Sequence, residues 1–184
     1  MNATTIKSFG PADATRRMPA GMPTGRRDLG LLRSARGTRE IDEPTVGLSP
    51  ESRALLVALR GPMSLDDCVQ TAGARVSDAI PLLRNGLATV VLRSAEPGSG
   101  AFADRQAQAL VDALFRLSSR ELYTLITRQA KLRLGLIRGF RAILQLERCE
   151  GQEEQLALAL RFVDEVAQVH GEDGLARLHG ELKA

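Results

Sequence analysis

Two histidines, two cysteines and two acidic pairs are the side chains whose type and spacing could do chemistry in this 184-residue chain. His170 and His179 stand nine positions apart, each in a His-Gly-Glu triplet, the nearest approach to a repeated metal-ligating pattern. A glycine directly after each histidine marks a helix end, where an imidazole complements the negative pole, so a terminal role is expected rather than ligation. Asp66-Asp67 and Glu153-Glu154 could supply a paired acid and base. Both pairs fall near expected helix starts, where the helix dipole alone favours carboxylates. Cys68 and Cys149 have no Cys-x-x-Cys or Cys-His company, so neither a zinc site nor a disulfide framework is expected and both thiols read as buried. The phosphate-cradling and nucleophile motifs Gly-x-Gly-x-x-Gly, Gly-x-x-x-x-Gly-Lys and Gly-x-Ser-x-Gly are also missing. These residues lead to the expectation of a protein that is not an enzyme, with no cofactor, no metal and no small-molecule substrate.

The elements that must position any functional surface are mostly helices. Residues 1 to about 30 mix Pro11, Pro19 and Pro23 with Gly10, Gly21, Gly25 and Gly30, and residues 1–45 are expected to form a flexible basic tail, with order beginning near Leu48. Ser49-Pro50-Glu51 is a helix start, and Leu55, Leu56 and Leu59 make its apolar stripe up to Gly61-Pro62. Ser64-Leu-Asp-Asp67 has capping-box spacing for a second helix that Gly73 closes. A third helix from about Ser77 carries Ile80, Leu82 and Leu83 to a stop at Gly86, with Pro81 expected to bend it. Leu87 to Arg93 reads as a strand, and Glu96-Pro-Gly-Ser-Gly100 as a loop.

The second half is helical throughout. Ala107, Leu110, Val111, Leu114 and Phe115 repeat at helical spacing, and Ser118-Ser-Arg-Glu121 caps the next helix. An unbroken helix to Arg148 would be a basic amphipathic rod, but Gly135 and Gly139 argue for a bend or short break between them. Gln152 to His170 shows two apolar faces, which implies burial between neighbours, and Leu175, Leu178 and Leu182 mark a last short helix beyond Gly171.

Helix, helix, helix and strand in this order, with a tight turn between the second and third helices, is the order of a winged helix-turn-helix. The stretch Ser49 to Leu92, with its Leu-Leu-Val-Ala-Leu-Arg-Gly, Ser-Leu-Asp-Asp and Leu-Leu-Arg-Asn-Gly-Leu segments, resembles the winged-helix-type modules of uncharacterised bacterial regulatory proteins, and Leu144 to Leu182 is similar to their helical tails. The expected fold is therefore mainly α: a winged-helix-like module with a short strand over 46–96, then a small antiparallel helical bundle over 101–184.

Charge divides along the chain: residues 1–39 carry a net +6, 40–100 a net −3, 101–148 a net +5 and 149–184 a net −5. Such alternation suits segments that attract one another more than a nucleic-acid footprint. A DNA reading would use Arg75, Ser77 and Arg84 of the third helix and Arg93 of the strand, with Arg16, Arg17, Arg26 and Arg27 of the tail on phosphates. Asp78 at the front of that helix and the net acidic module oppose it. The favoured reading is a regulator that contacts another protein or a second copy of itself, through the strand edge at Leu87 to Leu92 and a helical surface bearing Arg128, Lys131, Arg138 and Arg141. DNA is the alternative partner. No segment is apolar enough to span a bilayer, and no secretory leader is recognisable, so a cytoplasmic location is expected.

Overall fold

The computed structural model describes residues 27–93 and 100–183. It is mainly helical with a three-stranded antiparallel sheet. In order along the chain come β1 (Asp28–Arg33), α1 (Ala35–Asp42), α2 (Pro50–Ala58), β2 (Met63–Ser64), α3 (Leu65–Ala72), a 3₁₀ turn (Val76–Asp78), α4 (Ala79–Arg84) and β3 (Ala88–Arg93). The helices α5 (Gly100–Phe115), α6 (Ser119–Leu146) and α7 (Gln152–Lys183) complete it.

The strand order is β2-β1-β3, so the segment Asp28–Arg33 is the centre of the sheet. Leu29 faces Leu92 and Leu31 faces Val90 across the β1–β3 register. This corrects the expectation of a tail up to residue 45. Ser34 caps α1 by accepting from the Gly37 N–H, while its hydroxyl donates to the Gly86 carbonyl at 2.7 Å. Glu40 of α1 is buried, and its carboxylate accepts from the backbone N–H groups of Thr45 and Val46 and from the Thr45 hydroxyl. Those bonds, with Arg53 nearby, hold its carboxyl below the usual range.

Ser49, Ser64 and Ser118 cap α2, α3 and α6 as their spacing predicts, and Gly73 closes α3 in the left-handed conformation. The third helix differs. A 3₁₀ turn holds Ser77, and α4 begins only at Ala79. Pro81 is thus the third residue of a helix whose first four N–H groups have no intrahelical acceptor, so its missing donor costs nothing and the expected bend does not arise.

Nor is β3 an open edge. The N–H groups of Val90 and Leu92 that point away from β1 donate to Gln108 Oε1 and Asp104 Oδ1 of α5, both at 2.7 Å, which closes the strand against pairing with another chain. Most of the loop expected at 96–100 lies outside the described residues, as do Arg16, Arg17 and Arg26.

One apolar cluster runs from Leu29 and Leu31 of the sheet through Leu56 and Ile80 to Leu110, Ile126, Val163 and Leu178. The module and the helical region therefore share a core. Both expected faces of Gln152 to His170 are buried, except at Val169, which is 47% exposed. Cys68 is buried as expected, while Cys149 is only half-buried.

Candidate interaction surface

The first arm of α6 starts from a reciprocal cap. Ser118 accepts from the Glu121 N–H, and Glu121 accepts from the Ser118 N–H and hydroxyl at 2.7 Å each, which lowers the Glu121 pKa. Leu122, Ile126, Ala130 and Leu134 then recur on one buried face. At Gly135 the backbone leaves the helix, with φ 76° and ψ −178°, a region open essentially to glycine alone.

Beyond that glycine the chain reverses. In a straight helix Tyr123 and Glu147 would stand roughly 36 Å apart at about 1.5 Å per residue. Instead the Tyr123 hydroxyl donates to Glu147 Oε1 at 2.9 Å. A Cβ on Gly139 would lie 2.7 Å from the carbonyl carbon and oxygen of Ala130, so the two arms touch backbone to backbone where Gly139 stands. The expected break is therefore at Gly135, and α6 is a helical hairpin with arms over 119–134 and 136–146.

A second corner stands at Gly171 (φ 60°, ψ −150°). Residues 166 and 174 of a straight helix would be about 12 Å apart, yet a Cβ on Gly174 would meet Val166 Cγ1 at 3.2 Å. The last segment then lies along the first arm of α6, where Glu181 accepts from Gln129 at 3.4 Å and pairs with Arg128 at 3.8 Å. His170 ends the preceding segment, as its place before Gly171 predicts, and its Nε2 lies 2.6 Å from the Arg133 carbonyl. That carbonyl would bond residue 137 in a continuous helix; the break at Gly135 releases it, and the imidazole takes it up.

The hairpin presents apolar side chains to solvent. Ile137 is 86% exposed, Leu136 75%, Leu132 72% and Phe140 54%, with Leu144 also exposed. Leu136, Phe140 and Leu144 share one face of the second arm by their four-residue spacing, with Ile137 beside them, while Leu132 is exposed on the first arm next to a hollow that His170, Asp173 and Arg177 line. The opposite face, with Gly139, Ala142 and Leu146, is buried. By helical geometry Arg138 and Arg141 fall in the band between the two faces, and Arg128 and Lys131 are exposed on the first arm.

The residues expected as DNA contacts are dispersed. Arg27 pairs with Glu172, Arg84 with Glu153 at 3.9 Å, and Arg93 with both Asp67 at 3.3 Å and Asp28 at 3.8 Å. Asp78 Oδ2 accepts the Arg75 N–H at 2.6 Å. Arg75 and Ser77 alone share a site, a shallow hollow that Arg148 and Arg161 also line.

A residue the sequence does not single out joins the layers. Asp164 of α7 accepts the Leu29 N–H of β1 at 2.7 Å through Oδ1, and the Gln168 amide at 3.0 Å through Oδ2. Burial, with the charges of Asp28 and Asp66 adding, pushes its pKa up to about 6 against the hydrogen bonds that lower it. The signal for it is faint: an acid at the edge of an otherwise apolar helix face beside Val163.

The fold and surface describe a mainly helical protein with a small antiparallel sheet and a helical hairpin whose outer face is exposed. Comparison with known proteins gave no match to a protein-family model, a curated protein or a solved structure.

Proposed function

We propose that this chain is a non-catalytic regulatory protein that works by contact, and that the outer face of the α6 hairpin engages a partner protein presenting an apolar groove rimmed by carboxylates. The observation that carries this is the run of exposed Leu132, Leu136, Ile137, Phe140 and Leu144. Large apolar side chains left in solvent together on one helix face, as Leu136, Ile137, Phe140 and Leu144 are, mark a place where something else docks.

Charge selects the occupant. From Arg128 to Arg148, a stretch that ends just past the second arm, the chain carries six basic residues and one acid, Glu147. A two-fold contact with a second copy would set like charges against each other, whereas an acidic rim on a different protein complements them. In this reading α2, β2, α3, α4 and β3, which succeed one another as helix, strand, helix, helix and strand, act as a winged-helix-like scaffold in the cytoplasm. What supports a scaffold over a DNA reader is that Arg27, Arg84 and Arg93 are engaged in internal ion pairs.

The test is photo-crosslinking from position 136 of the full chain in its native cells. The expected result is a discrete adduct to another protein at a peptide rich in Asp and Glu, lost in Ile137→Glu and weakened by added salt. Adducts confined to a second copy, or to lipid, contradict it.

A further inference from the structure

A cleft of about 390 Å³ lies between the second arm of α6 and the first part of α7, with Asp66 of α3 at its margin. Its lining brings together Arg138 and Arg141 from α6 with Arg161, Asp164 and Glu165 from α7. Among the described residues none of these three arginines makes an ion pair, in contrast to Arg27, Arg53, Arg84, Arg93 and Arg128. Asp66 and Glu165 likewise have no ion-pair partner there, whereas both oxygens of Asp164 are engaged by Leu29 and Gln168. Donors and acceptors thus stand apart in one concave space, each with hydrogen-bonding capacity to offer.

We infer that this cleft binds a small phosphorylated polyhydroxy ligand, such as a sugar phosphate. A phosphomonoester has three terminal oxygens and close to two negative charges, and guanidinium groups are the side chains that grip it with paired, directed N–H bonds. Carboxylates can only accept, so Asp66 and Glu165 would repel a bare anion but take hydroxyl hydrogens from its carbon skeleton. A purely anionic ligand explains the arginines and leaves the acids unexplained. The volume is that of a small-molecule site, in the range of about 300–1,000 Å³, and gives a nucleic-acid duplex no room. Such a ligand would tie the hairpin arm, α7 and the start of α3 together, which is the position of an effector. Arg138 and Arg141 belong both to the cleft and to the basic band that faces the partner's carboxylates, whereas Arg161, Asp66 and Glu165 lie off the hairpin, so substitutions at 161 and 137 test the two roles separately.

Calorimetric titration of the full chain at constant ionic strength, with ribose 5-phosphate as the probe and inorganic phosphate and ribose as its two halves, tests this. The expected result is binding of ribose 5-phosphate at about 1 mM or tighter, about tenfold weaker binding of phosphate, and none of ribose. Arg161→Gln, on α7 and away from the hairpin's apolar face, should weaken ribose 5-phosphate by about tenfold, while Ile137→Glu should leave it unchanged. Absence of binding by both phosphorylated probes at about 10 mM overturns the site, as does binding that survives Arg161→Gln. Equal affinity for phosphate and ribose 5-phosphate overturns the role given to Asp66 and Glu165. A response to a DNA duplex with none to either small probe assigns the arginines to a macromolecular polyanion instead.

Discussion

Asp164 shows how one buried carboxyl can set a pH dependence. Arg138, Arg141, Arg161, Glu165 and Asp66 share its cleft, Asp28 stands beside it, and its folded pKa of about 6 lies above the ordinary aspartate value. The folded state therefore holds this proton more tightly than the unfolded chain. Stability from this group is fully present below pH 4 and declines as pH rises through 6. Asp164→Asn keeps a carbonyl oxygen for the Leu29 N–H and removes the buried charge, so it should stabilise the protein at pH 7.5 by ~2 kcal/mol and leave it nearly unchanged near pH 4. Thermal melts across that range check this; a variant less stable at pH 7.5 contradicts it. Glu40 has the opposite sign, since its hydrogen bonds lower its pKa. Its contribution is present above the unfolded value and lost as pH falls through the folded one, so Glu40→Gln should lower the melting temperature at pH 7 and flatten the acid limb of the stability curve.

Among the elements, the hairpin depends on two glycines for different reasons. Gly135→Ala places a Cβ on a conformation that costs roughly 1–3 kcal/mol for other residues. Gly139→Leu drives a side chain into the Ala130 backbone and should part the arms, with loss of the Tyr123–Glu147 bond. Urea denaturation should place both variants below the wild type; equal stability of Gly139→Leu would mean that the arms do not touch. The closing of β3 yields a further expectation. Asp104→Ala with Gln108→Ala leaves two strand N–H groups unpaired at the edge and should promote self-association, measurable by light scattering at rising concentration.

The elements legible in the sequence are those written in local code. Ser49, Ser64 and Ser118 announce their helices because a cap acts on N–H groups two or three residues away, and Gly73 and Gly171 announce stops through backbone conformation. Segment Asp28–Arg33 is hidden because its partners are remote: it pairs with residues 88–93 and 63–64, and lies next to a stretch rich in Gly, Pro and Arg. Helix α1 has no apolar stripe to find, since its buried positions are Gly37 and Glu40. The hairpin is half legible, with a bend or short break expected between Gly135 and Gly139 but not the reversal at Gly135 that leaves its outer face uncovered. The arginine cleft is not legible at all, because Arg138 and Arg161 meet only when α6 and α7 pack.

At the scale of the whole molecule, the central sheet and the helical layers are joined by one core and by polar ties at Leu29–Asp164 and Arg27–Glu172. The hairpin is the part of the described chain where large apolar side chains cluster in solvent. Most of the described leucines are buried, while Leu132, Leu136 and Ile137 are 72%, 75% and 86% exposed, and the proposed docking role accounts for that contrast. The most direct measurement is the affinity of the partner crosslinked at position 136 for the wild type, for Ile137→Glu and for Val57→Glu, which alters an exposed valine on α2. Docking through the hairpin predicts a loss of about tenfold or more for Ile137→Glu, with an unchanged melting temperature and no effect of Val57→Glu. Equal affinity of all three proteins would contradict it.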